Sequence, residues 1–380
     1  MIASARHIFN LISIVGLNKE DRSLVFYSEG KNYWVHLKGL IGSILNESDQ
    51  RVCYLTSSDD DPGLRLKHHN YKAFEIGDRY CRDWLFANID TDVMVMTTPD
   101  LHQFQVKKSC HAVHYVYVQH SLVSLHMVYR PKAFEHYQTI FCAGPHHLRE
   151  MRAIEAHNGY AQKNLIEHGY TRLDDILLNA STPPTAESAN ALGVPQPIHV
   201  LIAPSWGQFG TIESGLAFNI IDDLLARGFQ VTLRPHPQTS RFHGYEISRI
   251  RDKFNSQALF FLEDNVAGQE SLHASDLMVG DWSGAALDYA FGLKKPVIFI
   301  DIPKKVNDPD YIKIDLEPIE IGVRQEIGVV VSPECQSLPI EECLETDINA
   351  LDISRYVYNV GRSGSVGANA ILKLLQCETR

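Results

Sequence analysis

Three short segments hold side chains able to do chemistry. In LRPHPQTS (233–240) an apolar run ends in Arg234 and His236, with Pro235 and Pro237 on either side of the imidazole. The prolines stiffen the backbone and remove two N–H donors, so the histidine is held still at a strand end beside a guanidinium. In YVYVQHSLVS (115–124) His120 directly follows an apolar strand. A histidine there can serve as general base, since its unperturbed pKa lies near neutrality. With eighteen histidines in the chain, a core-edge ring bonded to the backbone is the competing reading. In GDWSGAALDYAFGLKKPVIFID (280–301) Asp281, Trp282, Ser283 and Gly284 form a strand-to-helix turn. The free N–H groups of a helix start, a serine hydroxyl and a glycine together make a phosphate cradle. An ordinary N-cap on a crossover helix uses the same residues. Asp288, near the first turn, can accept ribose hydroxyls or simply complement the helix dipole.

Other polar clusters carry less. GPHH (144–147) places two histidines in sequence, but adjacent side chains point apart and no carboxylate shares their spacing. SSDDDPG (57–63) has the carboxylates of a metal-binding transferase motif, yet the following Pro62 and Gly63 make it read as an acidic surface turn. No metal site and no cofactor is expected. Gly-rich dinucleotide and P-loop fingerprints and the Gly-x-Ser-x-Gly elbow are lacking, which counts against dehydrogenase, kinase and hydrolase chemistry.

The elements that must position these groups alternate between strand and helix. SLVFYSEG, RVCYLTSS, TDVMVMTT, AVHYVYVQ and QTIFCAG read as strands separated by helix-length stretches, the mark of a mostly parallel sheet. NASTPPTAESANALGVPQP (179–197), with four prolines, interrupts the rhythm. After it IHVLIAPS, FQVTLRPHP, ALFFLED, DLMVGDWSG and PVIFID read as a second set. The expected fold is therefore α/β: two Rossmann-like domains, an N-terminal one over 1–180 and a C-terminal one over 198–380, joined by a linker at 181–197 and facing a central cleft. The helix GANAILKLLQ near the C-terminus is expected to pack back toward the first domain. Ligands bind beyond the carboxyl ends of parallel strands. That singles out 28–31, 57–61, 119–121, 144–147, 205–207, 234–236 and 281–284.

Composition bounds the partners. Over 380 residues, 44% hydrophobic and 21% charged content suits a globular protein of two middling domains. A formal net charge of −11 with no basic stripe argues against a nucleic-acid partner. A phosphorylated substrate stays open, because one pocket needs only a few cations. Seven scattered cysteines without a C-x-x-C pair indicate free thiols in a reducing cytoplasm. The N-terminus, MIASARHIFNLISIVGLNKEDRS, reads as a surface helix and not a signal peptide.

Taken in order, GYTRLDDIL (169–177), VLIAPSWG, LRPHP and SDLMVGDWSGAALDYAFGLKKPVIFID resemble the CDP-glycerol glycerophosphotransferases, enzymes that build teichoic-acid-like polymers, and VQHSLVS falls where that family carries its first histidine. The resemblance covers most of the chain beyond about residue 110. It implies a two-domain fold like that of GT-B glycosyltransferases and transfer of glycerol phosphate, or a similar polyol phosphate, from a CDP-activated donor to a hydroxyl of a surface glycan or polymer, free or lipid-linked. By the same resemblance His120 is the base for the acceptor hydroxyl, while His236 and Arg234 face the donor diphosphate. Ser283 and Gly284 hold a donor phosphate and Asp288 the ribose, with Ser205, Trp206 and Asp281 completing the donor side. Ser28, Lys31, Ser121 and Arg130 stand on the acceptor side. The family usually has glycine after its first histidine and a lysine soon afterwards; here Ser121 follows and the next cation is Arg130. The alternative is a glycosyltransferase of the same fold using a nucleotide sugar or another activated sugar phosphate. Either enzyme would work in the cytoplasm, with at most peripheral contact at the inner face of the membrane.

Overall fold

The computed structural model describes residues 5–104, 106–180, 196–263 and 268–378. Most of the expected linker, 181–195, lies outside them. The chain forms two compact units. The first comprises Met1–Asp175, Asn307–Leu316 and Ser354–Arg380, and the second Ile176–Val306 and Glu317–Ile353.

The first unit holds a seven-stranded parallel sheet: β1 (Leu24–Ser28), β2 (Val52–Thr56), β3 (Tyr71–Glu75), β4 (Val93–Met96), β5 (His114–Val118), β6 (Thr139–Cys142) and β7 (Asn164–Glu167), in the order β3-β2-β1-β4-β5-β6-β7. The register sets Phe26 against Tyr54 and Val95, and Val116 against Thr139. β1, β2, β4 and β6 are buried along their whole length, and β5 is buried after His114. Such continuous apolar runs are what a sheet covered on both faces requires.

The second unit repeats the pattern with β8 (His199–Ile202), β9 (Gln230–Leu233), β10 (Phe260–Leu262), β11 (Leu277–Gly280), β12 (Val297–Ile300) and β13 (Gly328–Val331), all parallel, in the order β10-β9-β8-β11-β12-β13. In each sheet the strand order reverses once, between β1 and β4 and between β8 and β11. That reversal is the topological switch point, where a crevice opens beyond the strand ends.

The sequence reading kept 198–380 together, whereas two of its segments belong to the first unit. The last helix, Ser363–Glu378, packs on the helix Lys31–Glu47. Small residues allow the close approach: a Cβ on Gly367 would sit 2.2 Å from a Leu40 methyl, and one on Gly364 2.9 Å from the Gly39 carbonyl oxygen. Asp174 fixes the start of this helix by accepting the N–H groups of Gly361 at 2.6 Å and Ser363 at 2.8 Å. Ala368, Ile371 and Leu375 then join Leu37, Leu40 and Ile41 in the core.

Candidate active site

In the first unit β5 delivers Gln119 and His120 next to the switch point. The His120 ring stands edge-on to Tyr33, Tyr117 and Tyr129, at centroid separations of 5.8, 6.4 and 5.9 Å, with His36 at 6.2 Å. Burial among these rings pulls its pKa down to about 4, against a weak opposing pull from the Thr97 backbone. The imidazole is therefore neutral at any physiological pH. Its Nδ1 lies 3.1 Å from Tyr117 Oη, which donates onward to Tyr129 Oη at 3.3 Å. A neutral ring that donates its Nδ1 proton into this relay would keep a lone pair on Nε2, and the Thr97 backbone also bonds the ring.

The loop after His120 is held from behind by the helix Pro145–Asn158. His146 and His147 point their Nε2 atoms at the carbonyls of Leu122 and Val123, each at 2.9 Å, and Glu150 accepts the Leu125 N–H at 2.6 Å. Burial lowers the pKa of both histidines, well below the usual value for His146. The GPHH segment thus braces the loop with neutral rings. The SSDDDPG segment is likewise a turn: Asp61 is buried and accepts from Tyr54, Thr56 and the Gly63 N–H.

In the second unit His236 caps the short helix Pro237–Phe242, its Nδ1 accepting the Gln238 N–H at 3.1 Å. A ring that accepts at Nδ1 carries its proton on Nε2 when neutral, so it is a donor there. The ring stacks on Trp206 at 6.1 Å. Over the same indole lies Lys305 Nζ, 4.5 Å from the ring centroid. Burial pushes the Lys305 pKa down to about 8, with Asp281 and Glu213 pulling it back up. Arg234 is buried, donating from Nη2 to the Gly268 carbonyl at 3.0 Å, with Glu263 3.9 Å from its Nε. Indole, imidazole and ammonium thus gather at the ends of β8, β9 and β12, with the buried Arg234 two residues before His236, an arrangement suited to an anion.

Several expected contacts have other duties in the structure. Asp281 is 1% exposed and saturated, its Oδ1 accepting the Ser205 N–H at 2.7 Å and its Oδ2 the Thr211 hydroxyl at 2.8 Å. It shapes the loop that presents Trp206, and buried Ser205 serves through its backbone. Ser283 caps the helix Gly284–Leu293 by accepting the Ala285 N–H at 3.3 Å. The ordinary cap reading is realised, and the half-buried N-terminus at Ser283 and Gly284 keeps the geometry that suits a phosphate. Asp288 lies on the buried side of that helix.

On the acceptor side Ser28 is fully buried and closes a tight turn with Gly30, so it offers no surface to a ligand. Lys31 pairs with Asp60 at 2.7 Å, Ser121 accepts the Val123 N–H at 3.4 Å, and exposed Arg130 pairs with Asp100 at 3.5 Å and covers the Phe104 ring. These four side chains are engaged by other partners than the His120 ring. The groups that do surround it are Tyr33, His36, Tyr117 and Tyr129. Beside it Gln119 is buried, with neither amide atom bonded among the described residues. Across the switch point burial raises the Glu29 carboxyl, opposed by Tyr33, Arg82 and Thr98. Lys305 was legible by the strand-end rule applied to β12, which the sequence reading did not extend that far. Among the described residues no group of three or more His, Cys, Asp or Glu could hold a metal ion.

Lys305 gives a direct expectation. An anionic nucleotide should bind more weakly as pH rises through about 8 and the ammonium discharges. Lys305→Met should weaken binding roughly tenfold at pH 7, the scale of one charge-assisted contact, and flatten that pH dependence. Calorimetric titration with CMP at several pH values measures both.

Comparison with known proteins places the chain in a family and a fold. The family model for CDP-Glycerol:Poly(glycerophosphate) glycerophosphotransferase matches residues 79–305, a span that contains both histidines, the helix-capping turn and Lys305. No curated protein matches the chain. Among solved structures, the wall teichoic acid polymerase TagF superposes with a TM-score of 0.60 at 15% identity, covering 99% of this chain and 95% of that one. The UDP-GlcNAc 2-epimerase of Methanocaldococcus jannaschii gives 0.54 at 12% identity, covering 93% and 99%. At these identities the structural likeness establishes the fold, and it is the family model, matching more than half of the chain, that places the sequence: the chain belongs to the CDP-glycerol:poly(glycerophosphate) glycerophosphotransferase family.

Proposed function

We propose that the protein moves glycerol phosphate, or a similar polyol phosphate, from a CDP-activated donor to a hydroxyl of a polyol-phosphate or glycan acceptor, free or lipid-linked, on the cytoplasmic side of the membrane. The observation that supports this reading is the placement of the two histidines at strand ends, His120 with its Nδ1 against the Tyr117 hydroxyl and His236 accepting the Gln238 N–H at Nδ1, so that a neutral His236 ring carries its N–H on Nε2. A lone pair at His120 Nε2 suits deprotonation of an alcohol; an N–H at His236 Nε2 suits a diphosphate.

In the proposed reaction the acceptor oxygen attacks the phosphorus that bears the polyol. The bond from that phosphorus to the bridging oxygen breaks, and CMP departs with the electron pair. The acceptor proton passes to His120 Nε2. Negative charge grows on the bridging oxygen and the phosphates, where His236, Arg234 and Lys305 supply positive charge or N–H donors. Phosphoryl transfer needs mainly positioning and charge stabilisation, and the groups described above are of that kind. A base with a pKa near 4 is weak in the free protein, but the charge of a bound donor raises it. The amide of Gln119 would be satisfied by hydroxyls of an acceptor.

Thermal stabilisation distinguishes donor classes, since a ligand that binds only the native state raises Tm by mass action. CDP-glycerol and CMP should raise Tm, and UDP-sugars should not. Stabilisation by UDP-sugars alone would instead favour the nucleotide-sugar transferase.

A further inference from the structure

Glu213 belongs to the donor-side cluster of the second unit, yet the proposed reaction gives it no task. It lies on the same loop as Trp206, between β8 and the helix Leu216–Ala226. Its Oε1 accepts the Thr239 hydroxyl at 2.7 Å, which ties the loop to the short helix that His236 caps. Its Oε2 is buried and has no hydrogen-bond partner among the described residues. Gly210 makes room for that oxygen: a Cβ there would sit 2.2 Å from it and 3.1 Å from the Gly207 carbonyl oxygen. The loop closes tightly at this point, with the Gly210 N–H on the Gly207 carbonyl and the Ser214 N–H on the Gly210 carbonyl, each at 2.8 Å. A buried carboxylate oxygen without a donor is costly and calls for a reason.

Lys305 supplies the complement. Its Nζ lies 4.5 Å over the Trp206 indole, a cation–π contact, and it forms no ion pair among the described residues. Asp281 and Glu213 are the carboxylates that act on it, and His236 stacks on the same indole. The two carboxylates are not equivalent. Asp281 is committed to the Ser205 N–H and the Thr211 hydroxyl, whereas Glu213 has an oxygen to spare.

We infer that Glu213 is the counter-ion of Lys305 in the free protein, a positioning residue that keeps the ammonium seated over the indole and yields it to a donor phosphate. This rests on reading the cluster as the diphosphate's site. Without the Glu213 charge, the buried ammonium faces only the committed Asp281, and burial then favours the neutral amine. Glu213→Gln keeps an oxygen for Thr239 and removes the charge. At low pH Lys305 is protonated in both proteins, and losing a negative charge near the diphosphate should leave donor affinity equal or higher. As pH rises, the variant should lose its ammonium first. A residue that merely braced the loop would instead cost affinity equally at every pH.

Calorimetric titration with CDP-glycerol from about pH 6 to about pH 9 reads this, because the diphosphate diester has no group that titrates in that range. Wild-type affinity should fall through a midpoint at about 8. In Glu213→Gln the midpoint should lie roughly one pH unit lower, so that binding is about threefold weaker than wild type near pH 8 and no weaker near pH 6, with Tm unchanged. A double-mutant cycle gives the second readout: on a Lys305→Met background, Glu213→Gln should bring no pH-dependent loss. A flat wild-type profile, an unmoved midpoint in Glu213→Gln, an equal loss at every pH, or the same pH-dependent loss without Lys305 would each overturn the inference and leave the diphosphate site standing. If the wild type binds no CDP-glycerol, the reading of the site fails and the inference falls with it.

Discussion

His120→Ala is expected to lower turnover roughly a hundredfold to ten-thousandfold while leaving donor affinity nearly unchanged. The donor-side cluster lies on β8, β9 and β12 of the second unit, so removing an imidazole from β5 of the first leaves its contacts in place. What is lost is the acceptor for the alcohol proton. Because burial holds the His120 pKa near 4 in the free protein, kcat/KM for the donor, which reports the free enzyme, should show no acid limb from this group above about pH 5, where an ordinary histidine would begin to protonate. Ring deletion also opens space among Tyr33, Tyr117 and Tyr129, so Tm must be measured beside kcat. A fall in activity that merely tracks the unfolded fraction would make His120 a packing residue, and the base would have to be sought elsewhere.

His236→Ala is expected to reduce both donor affinity and turnover. Its ring touches the phosphate before and during reaction in the proposed mechanism, so the loss should appear in the donor Kd, roughly tenfold to a hundredfold for one hydrogen bond to a charged group, and again in kcat. The variant also removes the acceptor for the Gln238 N–H and the partner stacked on Trp206. His236→Asn separates these effects, because asparagine is a good N-cap. If the asparagine variant recovers Tm but not donor affinity, the ring acts on the ligand. If it recovers both, His236 is only a cap.

Much of this arrangement was legible in the sequence, for identifiable reasons. The central strands announced themselves because both faces are covered, so VCYLT and VMVM read as unbroken apolar runs. The edges did not. β3 (YKAFE) mixes exposed residues with buried ones, and β7 (NLIE) and β13 (GVVV) have no fully buried residue; each borders one side of a sheet and needs less apolar surface. His120, His236 and the Ser283 turn could be singled out as candidates because ligands bind beyond the strand ends of parallel sheets. Spacing could not reveal that Asp281 is consumed by Ser205 and Thr211, since Thr211 comes from a loop 70 residues away. Nor could it show that Ser28 turns inward, or that the aromatic cage around His120 draws Tyr33 and His36 from the helix after β1. Such pairings arise only when distant strands are brought side by side.

The most direct measurement is the identity of the nucleotide released when the full-length protein is incubated with CDP-glycerol and a glycerophosphate-primed acceptor. Attack on the polyol-bearing phosphorus breaks the diphosphate bridge, so CMP should accumulate in step with acceptor extension and both should fall together in His120→Ala. Release of CDP would mean that the bond to the polyol carbon is broken instead, and CDP-glycerol bound without any nucleotide release would mean that the protein is not a transferase of this donor. Either result would contradict the assignment of His120 as base and of His236, Arg234 and Lys305 as the diphosphate's partners.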